Sequence, residues 1–407
     1  MQKLRLGFAI VALALFKEAA ATVSTNTSDN LVYDDRQVHA RTWVLPSPTK
    51  RHYTGRNGIT KRHPADSPPA AHQPHHPPVA TLELFRSNKG YWMTNIEIGT
   101  HRPGHPQQFF RVILDTGASR LWVTSSKMPN PGTSKTYDPS LSSSSTDLHS
   151  PFESSYEVGV CEGPSYSDIV NVGGLKVRMS FGSVTKRDPD MEEGILGLNL
   201  VRAPVPQNHF FQAVQGTPAY RHFNPIAAFC FGTNDLGELY LGHVKDSAYL
   251  GGKIEYHPVV QLSELKDTWA IGSGEMSIGG VTIPGIRTIL DTGGGSMITG
   301  PPGEVKKIYD KIPDSQYYRE VYGHAIVGDF IGPENSGGLM QDNSLAVELP
   351  GEKYWCKGAI QGKMVSYDKN PETLWLLGDV FTRGKGVIYD ARNRRVGLAK
   401  AKDKCGK

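Results

Sequence analysis

Cysteine is scarce: the 407 residues contain four, at positions 161, 230, 356 and 405, too few for a disulfide scaffold to stand in for a hydrophobic core. They allow three pairings, and their spacing does not choose among them. Long apolar runs are also lacking. The longest, Leu6 to Phe16, covers 11 residues, where a helix crossing a bilayer needs about 20. The ending Lys404-Cys405-Gly406-Lys407 has no hydrophobic tail of the kind a lipid-anchor signal carries, so no membrane anchor is expected. Nor does the body have an excess of either charge. Of 44 Lys+Arg and 40 Asp+Glu, residues 1 to 62 hold 10 and 4, leaving 34 against 36. Without a basic face on the folded part, no nucleic-acid partner is expected. The glycine-rich stretches at 272–280 and 293–295 lack the strand, loop and helix order and the Lys-Ser/Thr pair that cradle a phosphate.

What is present is ordinary globular composition, 38% hydrophobic and 21% charged, over enough chain for two or three packed lobes. Lys3 and Arg5, the apolar run and Ala19-Ala20-Ala21 read as a signal peptide over 1–21. Residues 22–80 are basic and then rich in proline and histidine, including Pro68, Pro69, His75 and His76, with no periodicity that would fold alone. The dibasic pairs Lys50-Arg51 and Lys61-Arg62 are candidate processing sites that make this stretch a removable pro-segment and linker, with a retained flexible arm as the alternative. Its histidines have no helix or strand pair to fix a coordination geometry, so no metal or other cofactor is expected. The one N-glycosylation triplet, Asn26-Thr27-Ser28, also lies here.

From about residue 81 short alternating apolar runs such as Trp92-Met93-Thr94-Asn95-Ile96-Glu97-Ile98 are separated by glycine, proline and asparagine, which predicts a mostly β protein. Residues 110–117 (Phe-Arg-Val-Ile-Leu-Asp-Thr-Gly) and 286–293 (Ile-Arg-Thr-Ile-Leu-Asp-Thr-Gly) agree at six of eight positions, 176 residues apart. Each copy is followed by an apolar echo, Gly194-Ile195-Leu196-Gly197-Leu198 and Trp375-Leu376-Leu377-Gly378-Asp379. This internal repeat predicts two related β lobes, 81–240 and 241–407, each supplying one carboxylate to a cleft between them. An Asp-Thr-Gly turn alone is ordinary turn chemistry. Two of them related by symmetry bring like charges together, and carboxylates about 3 Å apart share one proton, so one serves as base and the other as acid. Such a pair activates water against an amide without a metal or a covalent intermediate.

With these motifs the chain resembles the pepsin-like aspartic peptidases, secreted and of the fungal type, from about Thr81 to Lys400. The resemblance runs through both Asp-Thr-Gly motifs, Ile98-Gly99-Thr100, the block from Leu374 to Phe381, and Val387-Ile388-Tyr389-Asp390 with Val396-Gly397-Leu398-Ala399. It implies a bilobal acid-protease fold and endopeptidase activity on proteins or peptides. It also implies a monomer, secreted or vacuolar, made as a zymogen. Asp115 and Asp291 would be catalytic, Thr116 and Thr292 would bond across the lobe interface, and Gly117 and Gly293 would present amides to the carboxylates. Tyr156 would be the tyrosine of a flap hairpin over the substrate, supported by Trp122; plain core packing is the alternative for both aromatics.

The chain departs from the family pattern at several points. Ala118 and Gly294 stand where a Ser or Thr hydroxyl usually bonds the carboxylate, which predicts a dyad titrating higher than in strongly acidic relatives. Gly293-Gly294-Gly295-Ser296 carries one residue more than usual. Glu157 replaces the glycine after the flap tyrosine, and Cys161 is unusual nearby. Cys356 matches half of a family disulfide whose other half is missing, with Cys405 a candidate substitute. A pepsin-like fold that binds without cleaving is the alternative function; the altered flap favours it, and the two intact Asp-Thr-Gly motifs oppose it.

Overall fold

The computed structural model describes residues 38–39, 79–402 and 405, apart from 88, 134, 201–207, 264, 266, 279–280, 296–297, 313–314, 323–324, 334–345, 348–354, 358 and 364–372. The expected signal peptide, the dibasic pairs and the Pro/His-rich stretch lie outside them. Among the described residues the chain is mostly β, in one sheet of 14 strands and one of 10.

The repeat read from the sequence is a repeat of structure. In the first half the strand Gln108–Asp115 alternates outward and inward side chains, then becomes wholly buried over its last four residues, Ile113 through Asp115 included. It enters the interior because the apolar echo lies alongside it, in parallel: Ile113 pairs with Ile195, Leu114 with Leu196 and Asp115 with Gly197. The other edge of Gly194–Gly197 pairs antiparallel with Leu121–Thr124. In the second half Val281–Leu290 pairs in parallel with Leu374–Leu377, whose other edge is antiparallel to Ile298–Gly300. Parallel strands buried on both faces need continuous apolar runs, and both echoes supply them.

The two sheets do not divide at residue 241. Glu255–Pro258, Lys385–Asp390 and Arg395–Lys400, all from the second half, join the first sheet. There Ile226–Phe231 lies between Leu236–Leu241 and Lys385–Asp390. The main core therefore draws on both halves: Trp269, Leu290, Val387 and Tyr389 pack in one cluster with Leu114, Leu121 and Phe229. A smaller core around Ile298, Val305, Ile308, Trp375 and Leu377 serves the second sheet. Burying each such side chain contributes roughly 1.5–3 kcal/mol, so the woven strands make the halves hard to separate. At an outer edge of the second sheet, the short strand Val38–His39 from the expected pro-segment pairs antiparallel with Ala270–Ile278.

Cys405 is bonded to Cys230, with Cα atoms 5.7 Å apart. This corrects the expectation that Cys405 would replace the missing partner of Cys356. The strand Arg395–Lys400 lies beside Lys385–Asp390, which pairs with Ile226–Phe231, and Ala401 bridges to Tyr249, so the tail is led to Cys230. Cys356 belongs to Trp355–Lys357 in the other sheet. Closing so long a loop is worth roughly 2–4 kcal/mol through the unfolded chain.

Candidate active site

Asp115 and Asp291 stand at the ends of the two matched strands. The Leu198 amide donates to the Asp115 carbonyl at 2.7 Å, and the Asp291 amide donates to the Leu377 carbonyl at 3.1 Å. Each echo strand thus holds one Asp turn. The turns are then joined to each other. The Thr116 amide donates to Thr292 Oγ1 at 3.1 Å and the Thr292 amide to Thr116 Oγ1 at 3.0 Å. Each hydroxyl donates onward into the opposite strand, Thr116 to the Leu290 carbonyl (3.1 Å) and Thr292 to the Leu114 carbonyl (2.5 Å). The Tyr389 hydroxyl also donates to the Leu290 carbonyl, at 3.3 Å.

This lattice sets the two carboxyl groups against each other, 0% and 1% exposed. Only glycine fits beside them. A Cβ on Gly117 would lie 2.7 Å from Asp291 Oδ2, and one on Gly293 would overlap the Asp115 carboxyl group. Without side chains, both residues bring their amides in close. Gly117 and Ala118 N–H donate to Asp115 Oδ1 at 2.7 and 3.0 Å, and Gly293 N–H donates to Asp291 Oδ1 at 2.9 Å.

The two turns differ in one donor. Ala118 and Gly294 both return a backbone amide to the carbonyl of their Asp, at 3.4 and 3.1 Å, so Gly294 takes the place after Gly293 despite the longer loop. Only Ala118 also reaches its carboxylate. The extra residue is absorbed at Gly295, which adopts φ +60° and accepts the Asp379 amide at 2.8 Å.

Burial raises both acids. Asp115 is pushed up to about 6 by desolvation, held back by the Gly117 and Ala118 amides and by Asp291. Asp291 is raised well above the usual carboxylate range, first by desolvation and then by the Asp115 charge. The two buried carboxyl groups titrate as one unit holding a shared proton. Among the described residues, Asp115 Oδ2 and Asp291 Oδ2 are buried without a hydrogen-bond partner. Ala118 and Gly294 have no hydroxyl to offer them.

Above the pair lies a hairpin, Thr146–Tyr156 with Gly159–Val172. The Tyr156 hydroxyl accepts the Trp122 indole N–H at 2.9 Å. Both rings also pack in a cluster with Tyr91, Phe152, Cys161 and Met191. The supporting bond and the core-packing alternative are thus both realised. Gly159 turns the hairpin at φ +143°, and the next amide, Val160 N–H, donates to Asp188 Oδ2 at 2.8 Å. Under the hairpin a cavity of about 20 Å³ is lined by Asp115, Gly293, Tyr156, Trp122, Ile113 and Met191 among others, room for roughly one water. Burial pushes the Cys161 thiol up to about 12, so it stays protonated and unreactive at neutral pH.

Sequence reading missed a second tie between the halves. The Trp92 indole donates to Asp379 Oδ1 at 2.5 Å, and Arg86 forms an ion pair with Asp379 Oδ2 at 2.5 Å. Asp379 is buried, and its amide holds Gly295, so the network braces the loop of the second Asp turn from behind. The Leu-Leu-Gly-Asp block gave a signal at Asp379, but nothing in the sequence links it to Arg86.

A family model described as eukaryotic aspartyl protease matches residues 91–401. An aspartic protease of Phaffia rhodozyma is 31% identical over 344 residues, covering 79% of each chain. Pregnancy-associated glycoprotein 2 of Bos taurus is 30% identical, over 76% of this chain and 82% of its own. Cathepsin E of Cavia porcellus is 29% identical, over 74% and 80%. With both Asp turns, the echo strands and nearly all of the described β structure inside the matched region, the chain belongs to the eukaryotic aspartyl protease family, by class an aspartic-type endopeptidase acting on peptide bonds.

Proposed function

We propose that Asp115 and Asp291 hydrolyse peptide bonds by activating one water between them. The observation that carries this reading is the buried carboxyl pair set face to face by the joined Thr116 and Thr292 turns at the junction of the two halves. The ionised Asp115 takes a proton from the water as its oxygen bonds to the scissile carbonyl carbon. Asp291, still protonated, donates a hydrogen bond to the carbonyl oxygen, where charge develops. The tetrahedral intermediate collapses when the C–N bond breaks and the leaving nitrogen takes a proton from the dyad. Thr116 and Thr292 hold the turns in register, Gly117 and Gly293 supply amides to the carboxylates, and the hairpin bearing Tyr156 closes over the peptide with Trp122 behind it. The substrates are proteins or peptides, and the enzyme works as a monomer.

The remaining parts of the proposal concern processing. The chain enters the secretory route by residues 1–21 and is exported or delivered to a vacuole, an oxidising route that the Cys230–Cys405 bond suits. Residues 22–80 are a pro-segment whose cations cover the anionic cleft until a cut follows Arg62 or acid releases it, leaving lobes 81–240 and 241–407 with the shared strands described above.

Three outcomes are expected. The mature protein hydrolyses a generic protein, and a statine-type inhibitor blocks it; an inactive protein that still binds the inhibitor favours the non-cleaving alternative. The pH profile follows from the dyad. Because Asp115 is raised to about 6, falling pH protonates it and removes the base, while rising pH strips the second proton and removes the acid. The kcat/KM profile should therefore be a bell with its maximum at about pH 5 to 7, and a maximum near pH 2 contradicts it. N-terminal sequencing of the exported protein should find a start beyond Arg62; a start near Thr22 rules out removal of the pro-segment.

A further inference from the structure

The hairpin over the carboxyl pair does not end in solvent. Glu157, the residue after Tyr156 at its tip, forms an ion pair with Lys363, which follows the strand Ile360–Gly362 of the second sheet. The contact therefore bridges the cleft from one half to the other. Both side chains are largely covered, 15% exposed for Glu157 and 22% for Lys363, and the second carboxylate oxygen, Glu157 Oε2, is buried with no hydrogen-bond partner among the described residues. Beneath the hairpin, the cavity lined by Asp115, Gly293 and Tyr156 has room for about one water. A substrate enters only if the tip lifts and the pair parts.

The two partners respond differently to that opening. Glu157 sits in the turn of a two-stranded hairpin and leaves for water, where a carboxylate is well solvated. Lys363 cannot follow. Its amide donates to the Gly300 carbonyl at 2.8 Å, and the strand before it is buried at every residue and paired with Ile298–Gly300. The opened cleft thus keeps an ammonium group, on a stem whose backbone is held. Burial by itself draws that ammonium down to about 8, a cost that an anion beside it offsets.

We infer that Lys363 is a specificity-determining residue of the cleft, capped by Glu157 when the cleft is empty and taken over by an acidic side chain of the bound peptide. The inference rests on the reading of the cleft as a peptide-binding site and adds a substrate class to it: peptides with Glu or Asp in the position that meets Lys363. Glutamate from the substrate restores the charge pair that opening removed, and glutamine does not.

The test reads binding, so that its failure is distinct from a failure of catalysis. Statine-type peptides carrying Glu or Gln at each position around the statine are titrated into mature enzyme. At one position the wild type should bind Glu over Gln by about tenfold, the scale of one hydrogen bond to a charged group. Lys363→Met should erase that preference while binding the uncharged parent peptide, which shows an intact cleft. Lys363→Glu should invert it in favour of a Lys peptide. Glu157→Gln should tighten both Glu and Gln peptides by about threefold or more, because the cap is gone. Equal binding of Glu and Gln peptides at every position, or a preference that survives in Lys363→Met, overturns the inference.

Discussion

The structure depends on the reciprocal hydrogen bonds between Thr116 and Thr292. Each threonine gives its amide to the other's hydroxyl and its own hydroxyl to the opposite strand, so the two Asp turns are locked into one unit. That lock is needed because what it brings together is unfavourable. Two carboxyl groups are moved out of water and against each other, and both desolvation and mutual repulsion oppose the charged forms. The woven sheet makes the arrangement bearable. Strands from the C-terminal end lie within the first sheet, and one core of aromatic and aliphatic side chains spans both halves. Arg86, Trp92 and Asp379 brace the loop from behind.

Given that frame, a small asymmetry distinguishes the surroundings of the two acids. The symmetry of the repeat is broken after the glycines, where the Ala118 amide reaches Asp115 and the Gly294 amide stays with the Asp291 backbone. Asp115 thus takes two amides from its own turn, Gly117 and Ala118, while Asp291 takes Gly293 from its own turn and Gly117 from the other. Burial acts on both sides alike, opposing the ionised forms and moving the titration of both acids upward. The second asymmetry lies above the pair, where the hairpin of one half carries an anion and the floor of the other carries a cation.

Much of this was legible in the sequence because it is local and repeated. The apolar strand, the Asp-Thr-Gly turn and the glycine echo each occupy fewer than ten residues, and duplication separated them from chance turns. Tyr156 and Trp122 were legible through the family pattern alone, since an aromatic in a β strand is otherwise a core residue. What escaped were contacts between distant residues with no motif of their own. The bond from Cys230 to Cys405 follows from the C-terminal strands crossing into the first sheet, which no spacing reveals. The partner of Asp379 is an arginine 293 residues away. Glu157 was visible as a departure, but Lys363 gave no sign, because only the fold sets the tip of one half against the floor of the other.

The central claim is that Asp115 and Asp291 act as one unit. Its most direct test compares kcat/KM for Asp115→Asn, Asp291→Asn and the double variant with the wild type. If the pair shares one water and one proton, each single change removes the whole mechanism. Each single variant should then lose on the order of 10⁴-fold, and the double variant should be about as slow as either one. A single variant within about tenfold of the wild type, or a double variant whose loss is the product of the two single losses, would contradict the account.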